Sequence, residues 1–244
     1  MTQPHISLAA EKVGSIVGFP ITNSLITTWI VMGILIFWAF IVSQKITTVP
    51  NYIQLITEMV IEGLHNLFTD VVGEPNVNKF FSLLASIFLF VIFGNWIGLL
   101  PGVGTIGFHQ QTKFIPLFRG VTADLNTTFA LALIAVVAVQ YYGVKTLKAS
   151  YFKKFLNLTN PIMFFVGILE IISEISRIIS FAFRLFGNIF AGEVLLTVIS
   201  FLIPFLAPIP FLGLEIFVGF IQALVFSMLT AVFINMAVSS HADH

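Results

Sequence analysis

Long apolar runs recur along this chain and limit what it can fold into. Leu25 to Val42 is a run of 18 residues with no charged side chain, about the minimum that crosses the roughly 30 Å hydrocarbon core of a bilayer as a helix. Hydrophobic residues make up 58% of the 244 residues and charged residues only 9%, whereas a soluble domain carries about 25% charged residues. Too little charge is present to cover a water-facing surface, so the sequence predicts an integral membrane protein.

The spacing of apolar residues predicts an all-α fold with about five transmembrane helices and one amphipathic interfacial helix. Ile53, Ile56 and Val60 recur at helical spacing, which is typical of a helix with one apolar face. Glu58 and Glu62 lie on the opposite face, so this helix is expected at the membrane surface or against a partner. The predicted segments of a single membrane domain, 1–244, are an external N-terminal segment at 1–24, span 1 at 25–42, the amphipathic helix at 51–68, span 2 at 81–100, span 3 at 126–143, and two long helices at 161–201 and 211–238.

The last two predicted helices are too long to stand upright in a bilayer. Residues 161–201 contain no internal proline and would measure about 62 Å as a helix at 1.5 Å per residue. Residues 211–238 would measure about 42 Å at the same rise. Pro204, Pro208 and Pro210 lie between the two segments. We therefore expect a hairpin of two long helices that are strongly tilted.

The distribution of charge predicts the orientation of the chain. The segment from Lys145 to Asn160 holds four lysines, and positively charged loops stay on the cytoplasmic side. Counting five crossings from that loop places the N-terminus outside and the C-terminus in the cytoplasm. The N-terminus lacks the patterns of a signal peptide and of a transit peptide, so we expect the mature chain to begin near Met1. The four lysines are Lys145, Lys148, Lys153 and Lys154.

The sequence argues against several kinds of site. Cysteine is absent and the net charge is zero, which leaves no thiolate ligand and no basic surface for nucleic acid. The five histidines have no metal-ligand spacing on one helix. Gly102 to Gly107 matches the GxGxxG pattern, but it follows a predicted membrane span instead of a strand, and no Walker A sequence occurs. We therefore expect no cofactor, no metal, no nucleotide and no nucleic acid on this chain.

Arg184 lies in the apolar run from Ser180 to Glu193. Arginine keeps its proton in a protein, and a charge at membrane depth costs about 2.5 to 3.5 kcal/mol on insertion scales. On a helix that advances 100° per residue, six polar neighbours lie within about 80° of Arg184. Such a charged face on a membrane helix is typical of an aqueous pathway or of a surface for a charged partner. The six neighbours are Glu170, Ser173, Glu174, Arg177, Ser180 and Asn188.

Simpler explanations stay open for single members of this face. Glu170 and Glu174 are spaced to form ion pairs with Arg177 on their own helix. Ser173 and Ser180 could hydrogen-bond to a neighbouring helix, as hydroxyl groups often do in membranes.

Glu193 belongs to a different face of the same helix. It lies nine residues beyond Arg184 and therefore about 180° away from it. Its expected companions are Glu215 and Gln222, which are seven residues apart on the next helix and share a face. Two nearby carboxylates in a low dielectric tend to share one proton, so such a pair can load and unload a proton.

These residues carry a resemblance to a known family. The run Arg-Leu-Phe-Gly-Asn-Ile-Phe-Ala-Gly-Glu from Arg184 to Glu193, together with Glu215 and Gln222 on the next helix, resembles subunit a of rotary F-type ATP synthases. The resemblance extends from about Trp29 to the C-terminus, and the lack of a transit signal favours the bacterial form. The supporting runs are Gly94-Asn-Trp-Ile-Gly-Leu-Leu-Pro101 and Thr122-Ala-Asp-Leu-Asn-Thr127.

The resemblance implies a membrane stator subunit of the Fo sector, which is not an enzyme by itself. Such a subunit provides two offset proton half-channels and couples proton flow to ring rotation and ATP synthesis. Matched to the family's motif, Arg184 meets the carboxylate of each c-ring subunit and blocks proton leakage. The external half-channel matches Asn188, Glu193, Glu215 and Gln222. The cytoplasmic half-channel matches Glu170, with Ser173 and Glu174 as weaker members.

The resemblance also implies partners and a location. The partners are the c ring, b-type peripheral stalk subunits, the rest of the F1Fo complex and membrane lipid. The location is the bacterial inner membrane, with a periplasmic N-terminus. The family often has histidine at one member of the pair that Glu193 and Glu215 form here, which leaves the operating pH range of the inlet open.

Two other functions are kept as alternatives. The first is a self-contained ion channel or proton-coupled permease, and the second is a structural membrane scaffold. Secondary transporters usually bind substrate at broken helices between repeated halves, and the sequence shows neither repeats nor matched Gly/Pro interruptions.

Overall fold

In a computed structural model, helices dominate the part of the chain that the structure describes. That part comprises residues 9–16, 18–44, 46–100, 102–103, 106–110, 113–148, 151, 155, 161–204 and 206–239. Its α-helices are α1 (Asn23–Gln44), α2 (Tyr52–Val72), α3 (Glu74–Gly98), α4 (Leu125–Leu147), α5 (Pro161–Leu202) and α6 (Pro208–Ser239). A single 3-10 turn, Val121–Ala123, precedes α4.

The structure and its hydropathy confirm an all-α integral membrane protein. Among the described residues, four helices are long and apolar enough to cross a membrane: Asn23–Gln44, Asn76–Gly98, Leu125–Leu147 and Pro208–Ser239. The continuous helix α5 spans 42 residues but carries five charged side chains. The strong tilt of α5 and α6 stays a prediction.

Two short antiparallel hairpins, which the sequence did not predict, accompany the helices. Strands β1 (Lys12–Ile16) and β2 (Phe19–Thr22) pair with Ser15 opposite Pro20. Strands β3 (Gly107–Gln110) and β4 (Lys113–Pro116) pair with Gln110 opposite Lys113. At the first turn, Gly18 has a φ of 82°, a conformation that favours glycine because it has no Cβ.

Helix α3 lies at the centre of the bundle and packs against α1, α2 and α6. The core that it shares with its neighbours includes Phe80, Leu84 and Val91 from α3 and Leu185 and Phe226 from the two long helices. Most of α1 instead points large apolar side chains outward, as a helix that faces lipid does.

The buried positions of α1 are its polar N-terminal residues and Val31. Ser24 donates to the carboxylate of Asp124 at 2.7 Å, and the side-chain amide of Asn23 donates to the Pro116 carbonyl at 3.3 Å. Asp124 also caps α4 by accepting from the Asn126 backbone N–H at 3.1 Å. These bonds fix the loop before α4 against the start of α1.

Some sequence predictions fall outside the described residues. Lys153, Lys154 and Asn160 of the predicted cytoplasmic loop are among them, as is Gly104 of the GxGxxG run. The described parts of that run follow helix α3 and end at Gly107, the first residue of strand β3, so they do not follow the strand–loop–helix order of a dinucleotide site.

Candidate functional site

Arg184 lies on an exposed part of α5. Its Nη2 donates to the Ser180 hydroxyl one turn earlier, at 3.3 Å, and its guanidinium lies 5.9 Å from the ring centroid of Phe181. No carboxylate among the described residues lies within ion-pair distance of Arg184. The structure therefore presents a permanent charge on an exposed part of α5 whose neighbours Ile179 and Phe183 are apolar.

An open depression of about 300 Å³ lies beside Arg184. Its floor includes Arg177, whose guanidinium lies 4.0 Å from the centroid of the Phe233 ring on α6. Both predicted arginines of the polar face thus border the same depression. The lining residues are Ser176, Arg177, Ser180, Phe181 and Arg184 from α5, and Leu229 and Phe233 from α6.

The acidic residues nearer the start of α5 have different neighbours. Glu174 forms an ion pair with Arg177, in which Nη1 lies 2.8 Å from each carboxylate oxygen. The structural pairing considered for Glu174 is therefore present. Glu170 is half-buried and Ser173 is exposed.

Tyr151, which the sequence did not indicate, belongs to the same region. Its hydroxyl donates to Gln140 Oε1 at 2.7 Å, and its ring packs on Gly143, where a Cβ would overlap it. Burial raises the pKa of Tyr151 to about 12, with the negative charge of Glu174 adding to the effect. A buried tyrosine hydroxyl therefore lies close to the acidic residues of α5.

The two amides of the predicted external path meet between α5 and α6. Asn188 Nδ2 donates to Gln222 Oε1 at 2.7 Å. Gln222 is buried, whereas Asn188 is exposed on the side of Arg184. This hydrogen bond links the surface near Arg184 to the interior of the bundle.

Glu215 is buried and its carboxylate packs directly on Gly192. The neighbouring Glu193 has another partner, because its Oε2 lies 3.7 Å from Nε of Arg119. The structure thus brings Glu215 beside the residue that precedes Glu193. No hydrogen bond joins the two carboxylates among the described residues, so the predicted shared proton remains a prediction.

Arg119 is a site residue that the sequence pattern did not reveal. Its side chain is only 7% exposed although it comes from a loop. Its Nη1 donates to the Ala9 carbonyl at 2.9 Å, and its backbone N–H donates to Thr27 Oγ1 at 3.2 Å. One feature of the sequence could have indicated Arg119: it is a charged residue in an apolar stretch, five residues before Asp124.

These polar groups form two separate clusters along α5. Arg119 precedes α4 and Tyr151 follows it, so the clusters lie at opposite ends of the bundle. Glu193 is nine residues beyond Arg184, about 13.5 Å along the helix, and Glu170 is fourteen residues before it, about 21 Å. The exposed arginine therefore lies between two groups of side chains that can carry protons.

Comparison with known proteins adds an independent result. A family model described as "ATP synthase A chain" matches residues 25–235. ATP synthase subunit a of Gloeobacter violaceus is 40% identical over 222 residues, which cover 91% of this chain and 86% of that protein. ATP synthase subunit a 3 of Pelobacter propionicus is 36% identical over 85% of this chain and 84% of its own length. The chloroplastic ATP synthase subunit a of Stigeoclonium helveticum is 32% identical over 97% and 93%.

Proposed function

Because this chain belongs to the family of ATP synthase a subunits, we propose that it is the stator that holds two offset proton half-channels on either side of Arg184. A subunit a is a multi-pass membrane component of the F-type complex and takes part in ATP synthesis and proton transport. It is one subunit of that complex and not an enzyme by itself.

One observation carries the proposal: Arg184 is exposed between two polar clusters, without a carboxylate partner among the described residues. A permanent charge at membrane depth is costly unless it faces water or an opposite charge. The partner that fits is a membrane carboxylate on each subunit of a c ring. Arg184 then acts through its charge and not as a carrier of protons.

The external half-channel includes the cluster near the end of α5. Glu193 and Glu215 supply groups that bind and release protons, and Arg119 supplies a compensating charge beside Glu193. The hydrogen bond between the side-chain amides of Asn188 and Gln222 connects this interior to the exposed face of Arg184. These contacts support a route from outside to the ring.

The cytoplasmic half-channel includes the half-buried Glu170 and the exposed Ser173. Glu174 is a weaker candidate for this path, because both oxygens of its carboxylate are paired with Arg177. That ion pair holds the carboxylate against its own helix.

The charge of Arg184 explains how the two routes stay separate. A fixed cation opposite a ring carboxylate keeps that carboxylate ionised while the two face each other. The proton must therefore leave before this position and be replaced after it. The same charge repels a hydronium ion that would pass directly between the routes. Lysine would be a poor substitute because it can lose its charge when buried.

The proposal extends to partners and location. The exposed apolar surface beyond the ring-facing side is available to b-type peripheral stalk subunits and to lipid. The positive-inside rule supports a periplasmic N-terminus and a cytoplasmic C-terminus, and bacterial relatives support the inner membrane of a bacterium.

Cross-linking in the assembled complex tests which face of α5 meets the ring. Leu195 is exposed and lies eleven residues beyond Arg184, about 20° away around the helix. We expect Leu195→Cys to cross-link to a c subunit, because it shares the face of Arg184. Glu193→Cys is the matched control and should cross-link little, because Glu193 faces the loop that holds Arg119. Equal yields from both positions would contradict the proposed ring-facing surface.

A further inference from the structure

Two side chains outside the proposed proton path donate to the backbone of α6, and a third holds one of them in place. Asn95 Nδ2 donates to the Gly219 carbonyl at 2.9 Å, and Trp96 Nε1 donates to the Ile216 carbonyl at 3.1 Å. Thr122 Oγ1 in turn donates to Asn95 Oδ1 at 2.5 Å. We call Asn95, Trp96 and Thr122 the α6 bracket.

The bracket lies where α3 and α6 approach each other closely. Asn95 and Thr122 are both buried. A Cβ on Gly219 would lie 3.2 Å from Cβ of Asn95 and 3.5 Å from Cδ1 of Trp96, so a larger residue would separate the two helices. The amide of Asn95 therefore reaches a helix carbonyl directly.

The third member of the bracket is fixed by its own loop. A Cβ on Gly98 would lie 2.8 Å from Cα of Gly120, which means that the loop backbone rests on the end of α3. Thr122 follows two residues later in the 3-10 turn. Its hydroxyl thus holds the Asn95 amide with the N–H side toward α6.

The two carbonyls that accept these bonds lie between Glu215 and Gln222. Ile216 is the residue after Glu215, Gly219 lies three residues further, and Gln222 lies three residues beyond Gly219. A slip of α6 by one residue would move Glu215 by about 1.5 Å along the axis and rotate it by about 100°. Glu215 would then leave Gly192, and Gln222 would leave Asn188.

We propose that the α6 bracket is a positioning device for the proton path: it sets the height and rotation of α6, and so places Glu215 on Gly192 and Gln222 on Asn188. Contacts between apolar side chains have no preferred direction, and lipid offers a sliding helix equally apolar surroundings. Directed hydrogen bonds to two backbone carbonyls do define one register. The inference rests on the proposed function of Glu215 and Gln222.

The chain offers a reporter of α6 position far from Glu215 and Gln222 along that helix. Asn76 Nδ2 of α3 donates to Asn235 Oδ1 of α6 at 3.4 Å, and the chain contains no cysteine. The pair Asn76→Cys and Asn235→Cys, cross-linked in the assembled complex, therefore measures how α6 sits against α3. Passive proton flow through the same preparations measures function per assembled complex.

The bracket variants have a definite expected order. Asn95→Leu removes two bonds at nearly constant shape, so it should lower both the cross-linking rate and the proton flow several-fold. Thr122→Val removes one hydroxyl and should act in the same direction but less strongly. Thr122→Ser keeps the hydroxyl and should restore both measurements. Ser86→Ala is the matched control on α3, because that hydroxyl bonds only to the Ser82 carbonyl of its own helix.

The proposal would be overturned if assembled Asn95→Leu and Thr122→Val complexes kept the wild-type cross-linking rate and the wild-type proton flow. The bracket would then affect only assembly. If Asn95→Leu fails to assemble, Thr122→Val and Trp96→Phe carry the same test, because each removes a single donor. Glu215→Gln separates this inference from the proposed function. Undiminished proton flow in Glu215→Gln would contradict the path, whereas the order of cross-linking rates would still test the bracket.

Discussion

Gly192 leaves the space on α5 that the carboxylate of Glu215 occupies. A Cβ at residue 192 would overlap both oxygens of that carboxylate. Glycine is therefore required here by space and not by backbone conformation. The next residue, Glu193, points instead toward Arg119. Two consecutive residues of α5 therefore contact different groups: Gly192 packs against Glu215, and Glu193 lies beside Arg119.

We expect Gly192→Ala to displace the Glu215 carboxylate without unfolding the bundle, because the end of a flexible side chain can move more easily than a backbone. Passive proton flow through the assembled complex should fall roughly tenfold, which corresponds to about 1.4 kcal/mol in the barrier. The amount of assembled complex, measured in the same membranes, should change little.

Gly213→Ala is the matched control for this substitution. Gly213 precedes Glu215 by two residues, and a Cβ there meets nothing within 4 Å. It should leave proton flow unchanged. Normal flow in Gly192→Ala would mean that the position of the Glu215 carboxylate does not limit transport.

The helical period placed Asn188 on the face of Arg184 and Gln222 with Glu215, and the family resemblance assigned both amides to one path. The structure joins Asn188 and Gln222 by a hydrogen bond between α5 and α6. Arg119 escaped prediction because it lies in a loop, and Tyr151 because it lies in the connection between α4 and α5. The position of a loop side chain depends on how elements that are distant in sequence pack together. The hydrogen bonds from Arg119 to Ala9 and to Thr27 are an example.

The helices of this chain extend beyond the apolar runs from which the spans were predicted. The second predicted span began at residue 81, whereas α3 begins at Glu74. The last began at residue 211, whereas α6 begins at Pro208. Polar residues can continue a helix beyond the apolar stretch, and proline fits the first turn because its missing N–H has no partner there. The short hairpins were missed because neither has a strong alternating pattern.

The depth of helix α2 residues in the membrane shows whether this helix crosses the bilayer or lies on its surface. It is not among the four helices of the described chain that could span, and its buried residues, Gln54, Leu64, Phe68 and Val72, form a narrow stripe. We expect spin labels at Tyr52, Met59 and Asn66, spaced by seven residues on one exposed face, to report nearly equal membrane depth.

Helix α1 provides the control for that measurement. Trp29, Ile36 and Ser43 have the same seven-residue spacing and are also exposed. Across a spanning helix these labels should differ in depth by up to about 21 Å. A comparable gradient along α2 would show that it crosses the bilayer and would contradict its interfacial assignment.

At the scale of the whole molecule, two polar clusters flank the charge of Arg184, and no acid of the described residues forms an ion pair with it. Arg119 compensates Glu193, and Arg177 compensates Glu174. Arg184 has only the Ser180 hydroxyl and the Phe181 ring among the described residues. The molecule therefore fits one half of a site that a second protein completes.

We expect the chain alone, reconstituted into liposomes, to pass no more protons than empty liposomes under the same gradient. The positive charge of Arg184 lies between the two clusters and repels a hydronium ion that would pass from one to the other. The complete membrane sector, with its ring carboxylates, should pass protons at a measurable rate.

Arg184→Ala in that sector is the matching variant and should leak protons without turning the ring, because the repulsive charge is gone. Selective proton flux from the isolated chain would instead favour a self-contained channel or permease, since such a protein needs no partner to complete its path.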